Sequence, residues 1–318
     1  MRILRYLGPR LLLAAITLTG VAVLVFISLR LIPGGFADIV LGPFVTPESR
    51  AILTERFGLD EPGWVQFFKW FWALLGGDFG VSLVTQQSVI AELLRRAPVT
   101  GELALLSLFF ALAVGLPLGV ASAAATARGG GRIGRTIGAL GASVPDFVLG
   151  SLFIFVFSVW SLGLKAGGYT PFFEDPIENL LGMVLPAVTL GVFGMALILR
   201  TTRDAVLRVL TEGHVTAAVA RGETPRQILR HHVLRNASVL ILTVSATYFG
   251  YLLGGAVIVE VLFSVPGVGF YIYSALLNRD YAVVQGGVLF VAVIFVLLNM
   301  LVDLLYVVID PRIGAKRG

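Results

Sequence analysis

The chain has 318 residues, of which 57% are hydrophobic and only 14% charged, where a soluble domain carries about 25% charged residues. A soluble domain is excluded by that composition, and lipid is the solvent that suits most of the chain. The sequence contains no cysteine, which removes disulfides, thiolate metal sites and thiol nucleophiles. Its formal net charge of +5 has to be read by position relative to membrane ends before it says anything about nucleic acid.

The first predicted element is the uncharged run 11–29, set between Arg10 and Arg30 and about one bilayer long. Arg2, Arg5 and Arg10 precede it as they would a secretory signal. The apolar run is longer than the usual core of about 7 to 15 residues, and Leu29-Arg30-Leu31-Ile32-Pro33 follows where a small-residue cleavage site would stand, so it reads as an uncleaved span. Further uncharged runs cover 103–127, 180–199, 237–259 and 281–302, with another at 136–164 interrupted only by Asp146. The expected fold is all-α, a polytopic membrane protein with six transmembrane helices. Gly115/Gly119, Gly134/Gly138 and Gly250/Gly254 place glycines four apart, a spacing that lets helix backbones approach closely in lipid.

Orientation follows from the basic residues. With a cytoplasmic N-terminus, the inside segments hold Arg2, Arg5, Arg10, Arg128, Arg132, Arg135, Arg200, Arg203, Arg208, Arg221, Arg226, Arg230, Arg235, Arg312, Lys316 and Arg317, which is 16 of the 24 basic residues. Against them stand only Asp204, Glu212, Glu223 and Asp310. Both termini are therefore expected in the cytoplasm, and the basic balance is explained without nucleic acid.

Segment 32–98 then lies outside. Trp64, Phe67, Phe68, Trp70, Phe71 and Trp72 crowd one stretch of it. Two readings stand: an amphipathic helix at headgroup level, or a docking surface for an external partner.

The cytoplasmic segment 200–236 carries the clearest local signals. Gly222 is expected to end a helix in the left-handed conformation. Thr224 is a good N-cap, Pro225 suits the first helical position, and Gln227 completes the spacing of a capping box. Arg226 and Arg230 share a face of the second helix, with Ile228 and Leu229 offering apolar contact elsewhere. Such a unit is either a solvated basic face attracted to anionic lipid, at about 1 kcal/mol per basic residue, or a helix that enters a groove on a cytoplasmic partner.

Residues 216–237, TAAVARGETPRQILRHHVLRNA, resemble the cytoplasmic loop of binding-protein-dependent ABC transporter permeases, whose pattern is Glu-Ala-Ala, three residues, Gly, nine residues, Ile, one residue, Leu-Pro. Ala217, Ala218, Gly222 and Leu234 match, while Thr216, His232 and Arg235 replace the Glu, Ile and Pro. Those departures are similar to the variant in the dipeptide, oligopeptide and nickel importer subfamily. The stretches GLDEP, GDFGVS, SVPDFVLG, LPAVTLG, VIVEVLFSVPGVG, NRDYAVVQG and LVDLLYVVIDPRIG resemble that subfamily's landmarks, in order, over nearly the whole chain.

The resemblance implies the first-named of two permease subunits in an importer of a bacterial or archaeal plasma membrane. It implies as partners a second homologous permease, two cytoplasmic ATP-binding subunits that hold the ATP and magnesium, and an external substrate-binding protein. No cofactor is implied in this chain. Thr216, Ala217, Ala218, Arg221, Gly222, Arg226, Arg230, Leu234 and Arg235 are the expected ATPase-coupling residues. The expected organisation is an N-terminal segment and first span at 1–31, an external segment at 32–98, a five-helix permease core at 99–312 with its loop at 200–236, and a tail at 313–318.

Enzymatic chemistry is not expected. A phosphate-cradling loop needs Gly-Lys followed by Ser or Thr, and none of the three lysines, Lys69, Lys165 and Lys316, is so followed. His214, His231 and His232 lie in the cytoplasmic loop without the companions of a metal site, and no serine, histidine and acid motif of a hydrolase is recognisable. Gly129-Gly130-Gly131 reads as a flexible turn.

Two rival functions remain. A proton-coupled secondary transporter would rest on ionisable residues within spans, namely Glu102, Asp146, Glu260 and Asp303. Glu260 follows about 35 Å of helix from Ala237 and Glu102 opens its span, so both are expected at the outer interface, with Asp303 near the inner one. Asp146, after Pro145 and about 16 Å from Arg135, is expected deep in the membrane, where it either packs helices or lines the pathway and favours cationic solutes. A non-transporting scaffold is the third class. Peptides lead among the solutes through the resemblance, with nickel and other small solutes left open.

Overall fold

The computed structural model describes residues 2–31, 46, 60–127, 129–160 and 163–309. Most of the first half of the external segment, Arg128, and the tail with Arg312, Lys316 and Arg317 lie outside the described residues. In chain order the helices are α1 (Arg2–Arg30), α2 (Gly63–Leu75), α3 (Val89–Ala127), α4 (Arg132–Ser143), α5 (Asp146–Val159) and α6 (Pro176–Leu210). There follow α7 (Gly213–Ala220), α8 (Pro225–Gln227) running into a π-helical turn (Ile228–Val233), α9 (Leu234–Phe263), α10 (Val268–Leu277) and α11 (Tyr281–Ile309). Among the described residues the β pairing is one isolated bridge, Val81 with Ser88.

Five helices are long and apolar enough to cross a membrane, and two further bent helix pairs pass the same test together. The protein is therefore an all-α polytopic membrane protein. Counting the bent pair α4 and α5 as one span gives the six expected, but the run 136–164 is not one helix. Its two halves meet at 94°, and the second half ends at Val159. Proline is the cause: it has no N–H to continue the ladder, and it drives the residue before it out of the helical region. Val144 is extended at ψ 119° and Pro145 at ψ 141°. Asp146 consequently opens a new helix and does not sit in the interior of an old one.

The chain divides into two compact units, residues 1–98 with 267–297, and residues 99–266 with 298–318. In the first unit, Val89 and Leu93 pack with Val268, Tyr271, Ala275, Val283, Val284 and Phe290. Asp280, buried, accepts a hydrogen bond from Ser82 Oγ at 2.5 Å, which ties the loop before α3 to the start of α11. Helix α2 lies against the last turns of α1: the Phe67 and Trp70 rings stand 5.2 and 5.6 Å from Phe26, and the Arg30 guanidinium donates to Gln66 Oε1 at 2.5 Å.

The second unit is organised around α6. Its Met183, Leu185, Leu190, Met195 and Ile198 are buried with Leu103 and Ala111 of α3 and with Tyr248, Leu252 and Val259 of α9. Tyr248 Oη donates to the Leu190 carbonyl at 2.7 Å, and Gly194 provides the space for the tyrosine ring. Glycine spacing explains how α3 and α6 meet. A Cβ at Gly115 would stand 2.8 Å from the Met195 carbonyl oxygen, and one at Gly119 would stand 2.6 Å from Thr202 Cβ. Gly138 of α4 lies comparably close to Arg200. Gly254 differs, since a Cβ there would meet nothing within 4 Å, so it is not a point of close helix approach.

Candidate functional site: the loop between α6 and α9

Helix α7 ends as its sequence dictates. Gly222 adopts φ +81°, its N–H bonds the Val219 carbonyl at 2.9 Å, and the Glu223 N–H bonds the Ala218 carbonyl at 3.2 Å. These are the two bonds of a Schellman motif. Two residues later Thr224 forms the capping box: its Oγ1 accepts from the Gln227 N–H at 3.4 Å, and its own N–H donates to Gln227 Oε1 at 2.9 Å. Pro225 occupies the first turn, where its missing N–H leaves no orphan donor. Two short helices are thus joined by a turn whose every residue has a stereochemical reason.

The unit does not hang free. Val215 and Ala218 of α7, with Ile228, Val233 and Ala237, form a second buried cluster with Ala205, Val206 and Val209 of α6 and Ala123 of α3. A polar clasp lies beside it. Arg221 donates to Glu223 Oε1 at 2.7 Å, and the other Glu223 oxygen is 2.8 Å from His232 Nε2. His214 lies 3.2 Å from Glu212 and 3.2 Å from Asn236, with its ring 6.0 Å from that of His232. The Arg221 guanidinium, and after it His232, hold the Glu223 carboxyl below the usual carboxylate range.

The expected coupling residues divide by exposure. Thr216, Ala217, Arg221, Gly222, Arg226, Arg230 and Arg235 are exposed, Leu234 is half-buried and Ala218 is fully buried. Ala218 therefore seats the loop and is not presented on its surface. Ile228, expected to offer apolar contact, is also buried, and Leu229 is half-buried. The apolar side chain that α7 does present is Val219, 59% exposed, which the sequence reading missed. The sequence carries no signal for it, because Val219 lies four residues from the buried Val215, a spacing that predicts a shared inward face.

The ionisable residues weighed for a proton pathway sit in different surroundings. Glu260 is fully buried in the second unit, where Thr100 Oγ1 donates to it at 2.6 Å. Glu102 accepts from Tyr169 Oη at 3.1 Å. Tyr169, in the connection after α5, is pushed up to about 12 by burial and by the Glu102 charge. Asp146 is half-buried at the first position of α5, at the 94° break. Among the described residues, no group of three or more histidines, aspartates or glutamates is placed to hold a metal ion.

This architecture has a known class. Residues 3–104 match the N-terminal region of binding-protein-dependent transport system membrane components, and residues 115–315 match the binding-protein-dependent transport system inner membrane component family. The chain belongs to that family, whose members are the membrane permease subunits of ABC systems and not their ATP-hydrolysing ones. It is 39% identical over 311 residues to a probable peptide ABC transporter permease protein of Sinorhizobium fredii, covering 97% of this chain and 98% of that protein. It is 36% identical over 338 residues to the dipeptide transport system permease protein DppB of Escherichia coli, covering 99% of this chain and all of that one, 100%. Among solved structures, an inward-facing MetNI methionine ABC transporter matches with a TM-score of 0.55 at 23% identity, covering 70% of this chain and 97% of that chain, a likeness of fold.

Proposed function

We propose that the chain forms half of the translocation pathway of an ATP-driven peptide importer, with its termini and the α7 to α8 loop in the cytoplasm. Peptides are favoured as cargo because the similar permeases of Sinorhizobium fredii and Escherichia coli are named for peptide and dipeptide transport. Its partners in this reading are a second permease subunit, two ATP-binding subunits that carry ATP and magnesium, and an external binding protein. Residues 99–312 form the permease core, and the loop within 200–236 receives the ATPase stroke.

The observation that carries the reading is the loop itself. It is seated on α6 and α3 through a buried apolar cluster, while Val219, Arg221, Arg226, Arg230 and Arg235 face outward. A buried seat transmits a push, and an exposed apolar residue on the same loop as exposed guanidinium groups suits a groove with an acidic rim. Asp146, at the break between α4 and α5, lines the pathway in this reading.

Proteoliposomes holding both permeases, the ATPases and the binding protein test it. ATP-dependent uptake of a labelled peptide is the expected result, and Arg226→Glu with Arg230→Glu leaves insertion intact while abolishing coupling. Uptake driven by a proton gradient without ATP would establish the secondary-transport alternative. Wild-type uptake by the charge-reversed protein would remove the loop from the coupling role.

A further inference from the structure

Helix α2 presents an exposed apolar edge. Trp64, Phe68, Trp72 and Leu75 are 68%, 51%, 69% and 62% exposed. At about 100° per residue these four side chains fall within an arc of about 80°. The opposite side, with Phe67, Trp70 and Gln66, is the side that packs on Phe26 and Arg30 of α1. Lys69, which pairs with Glu61 at 2.5 Å, borders the edge and is itself largely exposed.

The position of α2 along α1 identifies what covers that edge. Helix α1 crosses the membrane with Arg10 and Arg30 bounding its apolar run. The contacts with α2 fall at Phe26 and Arg30, the last turn before the charged boundary, so α2 lies at the level where hydrocarbon gives way to headgroups. Leu24 and Ile27 of α1, in the same turns, are 66% and 48% exposed, so a surface facing lipid continues from α1 onto α2. At 13 residues the helix is about 20 Å long, too short to span a core of about 30 Å. Tryptophans at two places on the edge, with a lysine beside them, suit the interface, where an amphipathic ring has its apolar body in hydrocarbon and its N–H in the headgroups.

We infer that α2 is an interfacial helix, inserted edge-on through Trp64, Phe68, Trp72 and Leu75 into the leaflet at the Arg30 end of α1. The bilayer is the occupant of this face, and the external receptor is not. The assignment depends neither on which way the chain is threaded nor on what it carries.

Because the chain has no cysteine, one substitution places one probe. In nanodiscs, a spin label at Phe68→Cys is expected to relax more with oxygen than with an aqueous nickel chelate, and a label at Lys69→Cys is expected to show the reverse preference. A nickel-accessible label at position 68 would put the edge in water, and a label shielded from both reagents would put protein over it. Either result overturns the proposal. A second measurement leaves the edge aromatics nearly intact: with Trp64, Trp70 and Trp160 changed to Phe, the remaining Trp72 should lose most of its emission to lipid brominated near the headgroup and little to iodide. Strong iodide quenching with no bromolipid quenching overturns the proposal independently of the label.

Discussion

Replacing Gly222 isolates the conformational part of the loop's stability. Its φ of +81° lies in the region that L side chains avoid, and a Cβ at this position would meet nothing within 4 Å. Overpacking therefore contributes nothing, and the cost of Gly222→Ala reduces to the left-handed backbone, about 1 to 2 kcal/mol. That is a factor of about 5 to 30 in the equilibrium between closed and open turn. Gly222→Val costs more, since a β-branched residue is the poorest occupant of that region, and Gly222→Asn costs less, since asparagine tolerates it. The Glu223 amide reports the turn directly, because its bond to the Ala218 carbonyl exists only while the turn is closed. Its hydrogen exchange in nanodiscs should accelerate in the order Asn, Ala, Val, and ATP-driven uptake by the assembled transporter should fall in the same order. Unchanged exchange in Gly222→Ala would refute the stereochemical reasoning, and accelerated exchange with unimpaired uptake would refute the coupling role alone.

Gly119→Ala should destabilise the fold by about 1 to 3 kcal/mol through overpacking, because its Cβ would meet Thr202 Cβ at 2.6 Å and the Leu199 carbonyl at 2.8 Å; Gly254→Ala, facing open space, should leave the melting temperature in detergent unchanged or slightly higher. Arg221 and His232 depress the Glu223 carboxyl, so its contribution to the clasp is present above the unfolded value of about 4.3 and is lost as pH falls through the lower folded value. Exchange at the Gly222 turn, corrected for intrinsic rate, should therefore rise on acidification in the wild type and be independent of pH over that range in Glu223→Gln. Ser49→Cys should react with an impermeant thiol reagent from outside and Thr224→Cys only once the inner face is opened, and the reverse pattern would invert the proposed topology. Asp146→Asn should assemble normally and alter the preference between cationic and neutral peptides, and an unchanged preference would remove this residue from the pathway.

What could be read from sequence was whatever is decided within one turn of chain. Gly222, Thr224, Pro225 and Gln227 act through bonds spanning three to five residues, so the cap and the turn were legible residue by residue. The membrane helices were legible because hydrocarbon thickness sets their length. Pro145 is a local signal whose effect on Val144 breaks the helix outright, where the run 136–164 reads as one span. The face that Ile228 turns inward was not legible, because Val206, Val209 and Ala123, which bury it, lie about 20 to 100 residues away. The same holds for Glu260, whose hydroxyl partner Thr100 is 160 residues distant. Gly254 had the right spacing from Gly250 for close packing, yet spacing does not say whether another helix arrives opposite it, and none does within 4 Å of a Cβ there.

The π-helical turn Ile228–Val233 has a geometric consequence for everything that follows it. Such a turn holds one residue more than an α turn, and it sits where the seated loop passes without interruption into α9. Straightening it into α geometry would advance α9 by one residue, a screw motion of about 100° and 1.5 Å. Tyr248 and Glu260, both on α9, would be carried around the axis, away from the Leu190 carbonyl and the Thr100 hydroxyl that now hold them. Such a joint would act as a detent: the two long-range hydrogen bonds fit only the rotation that the extra residue sets, and losing that residue from the turn would be felt along the whole helix as rotation.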